Sequence, residues 1–232
     1  MVTTRNPDEY AAGWTDLRWL ALASHDRVAA MEAFLAGWYA DVPAGPRGAV
    51  RSDPREPLAL RALYRAVAGR PGLLGGQNRI FTSEELYAEG PDDWIVFGAE
   101  NQGCFHWIMD PDRPDPAVGY LDDHHPAEPE PMSGFLLQFC LAEAALAGPF
   151  RASAHVGRGE VAALTDRLRT VPLRPAGWLG GGTFHVAPGV VAVVTSGREP
   201  GERTILMSSR HPSFLEPLHE MASSRYGEYP RW

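Results

Sequence analysis

The stretch Trp94-Ile-Val-Phe-Gly-Ala-Glu-Asn-Gln-Gly-Cys-Phe-His-Trp-Ile-Met109 decides the fold class. Two apolar runs, Trp94 to Phe97 and Gly103 to Met109, flank the turn Gly98-Ala99-Glu100-Asn101-Gln102-Gly103. Short runs of aromatic and β-branched residues, punctuated by Gly and Asn, read as neighbouring strands. A third candidate, Ala117 to Leu121, lies between two acidic, turn-rich loops, Asp110 to Pro116 and Asp122 to Pro131. Spacing this close leaves no room for a crossover helix, so it favours an antiparallel meander over βαβ units. Strand alternation sets Phe105 and Trp107 on one face, Cys104 and His106 on the other. One face must be core, and Trp107 is expected to be mainly structural.

Upstream, a helix is expected from about Glu56 to Ala68. Leu60, Leu63, Tyr64 and Val67 form its stripe, Gly69 is its C-cap, and Pro71 prevents continuation. Before it, Pro43 to Pro57 is rich in Pro, Gly and Arg and reads as a linker. The first stretch has helical spacing twice: Tyr10, Trp14, Leu17 and Leu20, then Val28, Met31, Leu35 and Trp38 with Asp26 near the start. Ser83 with Glu84, Glu85 and Leu86 suggests a short turn or helix.

Downstream, Ser133 to Ala147 reads as a helix capped by Ser133 and stopped by Gly148-Pro149. A helix from Glu160 to Arg169, strands at Thr183–Val186, Val190–Thr195 and Thr204–Ser208, and a helix from Pro212 to about Ser223 complete the chain. Gly180-Gly181-Gly182 precedes a strand, so it reads as a turn and offers no helix N-terminus to a phosphate. The expected architecture is α+β: a twisted, mostly antiparallel sheet packed against helices, with N-terminal helices and a C-terminal α/β extension. Its expected parts are a helical segment over 1–45, an α+β core over 46–148, and the extension over 149–232, which either continues the same sheet or forms a small lobe.

Composition narrows the function classes. The formal net charge is −8, which argues against general affinity for nucleic acid or anionic lipid. Every basic residue is arginine, so there is no Schiff-base lysine, phosphate-loop lysine or Ser–Lys dyad. No apolar run approaches membrane-spanning length, and the polar start, Met1 to Glu9, is not a signal peptide, which points to the cytoplasm. The two cysteines, Cys104 and Cys140, sit in apolar company and are expected to be reduced, buried thiols.

No complete catalytic motif is visible. There is no GxSxG elbow and no HExxH or HxH pair. Asp122-Asp123-His124-His125 puts four potential ligands in a row, but adjacent side chains point apart on an extended chain, so a solvated acidic loop is the better reading. Asp110, Asp112 and Asp115 resemble a calcium loop only superficially. The positions that need Gly and Glu hold Asp115 and Leu121. Glu100 is conceivable as a general base, but a carboxylate in a tight turn more often satisfies backbone groups. No catalytic residue, metal ligand or cofactor is therefore assigned.

The Trp94–Met109 segment resembles the strand-turn-strand signature of the SUKH superfamily. Its carriers are Trp94, the turn Glu100-Asn101-Gln102-Gly103, and Trp107 on the second strand. The element Asp115-Pro116-Ala117-Val118, the helix after it, and the upstream Leu63-Tyr64 and Gly69 extend the likeness over about 56–148. The resemblance implies an antiparallel sheet packed on helices. It also implies a role, since many relatives are bacterial immunity proteins that bind and neutralise a toxin, often a nuclease, while others are regulatory or adaptor proteins. It carries no shared catalytic set.

The local charge fits. Between Ile80 and Met132 the acids greatly outnumber Arg113, the one base there besides histidine. Nuclease sites are basic, and an acidic protein can cover them by occlusion. The expected partner is thus a basic protein, met by Glu100, Asp110, Asp112, Asp115, Asp122 and Asp123. An ordinary solvated acidic face needs no partner. A cytoplasmic regulatory adaptor of the same fold and, further off, a metal-dependent hydrolase using Glu100 or His124-His125 are the alternatives.

Overall fold

A computed structural model describes residues 16–46, 56–89, 94–121 and 126–215. The expectations for Tyr10, Trp14, Asp122, Asp123, His124 and His125, and for the last helix beyond Leu215, lie outside the described residues. The described chain is α+β, built from five α-helices and two five-stranded antiparallel sheets. Among the described residues no helix is long and apolar enough to cross a membrane.

The helices α1 (Trp19–Leu22), α2 (Arg27–Trp38) and α3 (Leu58–Ala66) come first. The Asp26 carboxylate accepts from the Ala29 N–H at 2.9 Å and caps α2. The first sheet follows. Strands β1 (Arg79–Ile80) and β2 (Tyr87–Ala88) both pair with β3 (Ile95–Ala99), which pairs with β4 (His106–Met109) and then β5 (Val118–Tyr120). The expected meander is β3–β4–β5.

Helix α4 (Met132–Ala147) is buried on every side from Met132 to Ala145, as an all-round apolar helix must be. It is not capped by Ser133, contrary to expectation. Pro131 holds the N-cap position, and Ser133 lies in the first turn, where its N–H and hydroxyl both donate to Asp115 at 2.8 Å.

The last third forms a sheet of its own, in the order β6-β10-β9-β8-β7: β6 (Phe150–Gly157), β7 (Arg169–Thr170), β8 (Thr183–Ala187), β9 (Val190–Ser196) and β10 (Glu202–Ser209). Helix α5 (Arg158–Thr165) ends before Leu168, short of the expected Arg169. The Gly180-Gly181 turn is real, with φ of 61° and 81°. One hydrophobic cluster takes Phe97 and Trp107 from the first sheet, Phe135 and Phe139 from α4, and Phe184 and Val193 from the second sheet. A second, smaller cluster of Val156, Leu164, Val194 and Ile205 covers the other face of the second sheet.

Candidate functional site

The first sheet has two faces of different chemistry. Register and alternation send Ile80, Ile95, Phe97, Trp107, Met109, Val118 and Tyr120 inward, where all join the central core. The other face carries Arg79, Phe81, Tyr87, Glu89, Trp94, Val96, His106, Ile108 and Asp110. Val96 and Ile108 are buried there but belong to neither cluster. Trp94 and Ile108 both border Gly119, where an added Cβ would sit 3.4 Å from each side chain. Phe81 stacks with Tyr87 at 6.3 Å, tilts toward His106 at 6.4 Å, and carries the Arg79 guanidinium at 5.6 Å.

Tyr87 stands out of this aromatic face at 40% exposure. Burial of part of its ring, the nearby Glu89 charge and a hydrogen bond to that carboxylate push its phenol pKa above the ordinary value. Glu84, Glu85, Glu89 and Asp112 are exposed around the face, and Asp110 is half-buried. Glu85 pairs with Arg79, and the Thr82 N–H holds its carboxyl below the usual range. Asp110 sits 3.7 Å from Arg113 and accepts from the Asp112 N–H at 3.0 Å. Two arginines thus lie among five carboxylates, and the face is net acidic around an aromatic centre.

The expected partner residues do not form one patch. Glu100 lies in the β3–β4 turn, whereas Asp110, Asp112 and Asp115 lie in the β4–β5 loop at the opposite end of the hairpin. The strand length between the ends is about 13 Å, at roughly 3.3 Å per residue. Glu100 accepts from the N–H groups of Gln102 (2.8 Å) and Cys104 (3.3 Å), the turn-holding role. Asp115 is taken up by the first turn of α4. Pro116 is buried, and its carbonyl accepts from the Met132 N–H at 2.8 Å. Gly103 has a φ of 70°. Trp107 is fully buried, wedged against Phe105, Phe135, Phe139 and Trp178. Cys104 is exposed and Cys140 buried, so the expectation of two buried thiols holds for Cys140 alone.

Other acids, Glu128 and Glu130 of the acidic stretch and Glu143 of α4, point inward and serve the fold. Glu128 accepts from the Gly177 and Trp178 N–H groups, both at 2.9 Å, and from the Tyr120 hydroxyl. That lock sets Trp178 edge-on to Trp107, with ring centroids 5.5 Å apart. Glu130 accepts from the Arg174 N–H at 2.7 Å and faces the Arg27 guanidinium at 3.1 Å, so it ties α2 and the chain before β8 to the start of α4. Glu143 accepts from the N–H groups of Gly76 (2.6 Å), Gln77 (3.1 Å) and Asn78 (3.0 Å). Asn78 passes this hold on: its side-chain oxygen accepts from the Asn101 N–H at 3.4 Å, and Asn101 Nδ2 donates to Gln77 at 3.1 Å. The Glu100–Gly103 turn is therefore positioned from the central helix.

Sequence reading missed these interior carboxylates. For Glu143 a signal existed, because a lone acid in an apolar-all-round helix has to find donors. Among the described residues no group of three or more His, Cys, Asp and Glu side chains is placed to hold a metal ion. Comparison with family models, with curated proteins and with solved structures gives no match to this chain.

Proposed function

We propose that this chain is a protein-binding protein of the immunity type, which neutralises a basic, nuclease-type toxin by covering it. One observation carries the reading: the exposed Tyr87, set in the Phe81–Trp94–His106 face and ringed by Glu84, Glu85, Glu89, Asp110 and Asp112. An aromatic anchor with a charged rim is the usual anatomy of an interface hot spot. The sign of the rim selects a cationic partner and speeds encounter with it. The likeness of Trp94–Met109 to the SUKH signature supports the same reading.

The binding face thus shifts from the six expected acids to the outer face of the first sheet, with Asp110 and Asp112 common to both. The test starts by isolating the partner with the tagged chain and assaying it for nuclease activity with and without the chain. Stoichiometric silencing that weakens with salt, and that falls at least tenfold in affinity with Tyr87→Ala or with Glu89→Lys plus Asp110→Lys, is the expected result. A partner bound equally well by these variants, or one whose nuclease activity persists in the complex, overturns it.

A further inference from the structure

We infer that two copies of this chain pair through β6 into one sheet that runs continuously across the dimer. Strand β6 spans eight residues and lies at the edge of the second sheet. Among the described residues nothing pairs with its outer side, whereas the opposite edge, β7, has two residues. Every second residue of an edge strand turns its N–H and C=O away from the sheet, as a template for another strand.

Folded chains commonly guard such an edge with charge, proline or a bulge. Strand β6 holds no proline, and its pairing with β10 runs without a register shift from Phe150↔Ser209 to Gly157↔Glu202. Its one charged side chain, Arg151, is turned back to donate to the Leu146 carbonyl at the end of α4, at 2.7 Å. His155, exposed, leans toward β10, its Nδ1 lying 3.0 Å from the Thr204 hydroxyl. The remaining side chains are small or apolar, and Phe150 is left 38% exposed.

The occupant follows from symmetry. A two-fold axis that pairs a strand with its own copy antiparallel stands perpendicular to the sheet, so it must pass midway between the two copies of one residue. Centred on Ser153, it sets Ser153 of one copy opposite Ser153 of the other. Ala152 then faces Ala154, Arg151 faces His155, and Phe150 faces Val156. Small residues meet at the centre, the exposed Phe150 gains an apolar neighbour at each end, and no two arginines are opposed. Both chains carry −8, a repulsion that about 150 mM salt screens beyond roughly 8 Å.

The test is solution mass and site-directed cross-linking on the full chain. In ~150 mM salt the protein should sediment at twice the 25.4 kDa of one chain, and Ser153→Pro should halve that mass. Should Ser153→Pro fail to fold, Ser153→Cys in a Cys104→Ser background still decides. Residues directly opposed have Cβ atoms about 4.5–5.5 Å apart, within reach of a disulfide after small adjustment. Mild oxidation should then give a covalent dimer, and Thr170→Cys on β7 should give none. A monomer at the highest soluble concentration, or a dimer that Ser153→Cys does not cross-link, overturns the proposal.

Discussion

The Asn78 N–H donates to the Glu143 carboxylate at 3.0 Å across 65 residues of sequence, inside the protein. Gly76 and Gln77 donate to the same carboxylate, so three consecutive backbone groups of a loop end on one acid of the central helix. Hydrogen bonds to a charged acceptor are stronger than neutral ones, and buried donors left without a partner cost their full desolvation. Glu143→Ala should therefore lower stability by about 3 kcal/mol, read by urea denaturation. Because Asn78 also holds the Asn101 N–H, amide exchange at Asn101 should quicken in the same variant. Unchanged exchange there would mean that the turn stands without the helix.

Gly98 shows why a glycine sits inside a strand. The β3–β4 register shifts between Val96 and Gly98, a bulge that leaves both Phe97 and Gly98 toward the core. A Cβ at Gly98 would stand 2.8 Å from the Arg79 carbonyl oxygen and 3.0 Å from the Trp107 ring. One contact is backbone and the other a fully buried indole, so neither yields cheaply. Gly98→Ala should cost about 1–3 kcal/mol through overpacking, visible as a lower urea midpoint with unchanged slope.

What the sequence showed, and what it hid, follows the physics of each segment. The runs Ile95–Phe97 and Val190–Thr195 announce themselves, because β-branched and aromatic residues crowd there. Strand β6 does not. Phe-Arg-Ala-Ser-Ala-His-Val-Gly has mediocre strand propensity, and its eight pairings with β10 make it a strand. The two-residue strands β1 and β2 are likewise products of pairing with β3. The acid-rich stretch was legible as charge but not as geometry. Glu128 and Glu130 flank Pro129 in a stretch with no periodic pattern, and only the fold reveals that both turn inward. Trp178 gave no sign that it would meet Trp107.

That last contact predicts how the protein unfolds. Trp107 belongs to the first sheet, Trp178 to the chain entering the second, and both pack on Phe135 and Phe139 of α4. A shared core of this kind should melt as one unit, with near-UV dichroism and far-UV dichroism lost together. Trp107→Ala should remove about 3–5 kcal/mol. In a double-mutant cycle with Trp178→Ala the pair should show a coupling of about 1 kcal/mol. Two separate transitions would show instead that the second sheet folds independently of the first.

His185 supplies a pH dependence whose sign can be worked out. It lies on β8 opposite Thr170, with Thr170 and Thr183 hydroxyls each 3.4 Å from a ring nitrogen. Burial lowers its pKa below the ordinary 6.5. The native state therefore resists a proton that the unfolded chain accepts. The stability this residue contributes is intact above the unfolded pKa of 6.5 and is lost as pH falls from there toward the depressed native value. The readout is a difference between the native protein and a variant. Between pH 8 and pH 5, on either side of about 6.5, the native protein should lose more in melting temperature than His185→Gln does. Equal losses in the two proteins would place the titrating group elsewhere, whereas a larger loss in the variant would mean that the folded site prefers the charged ring.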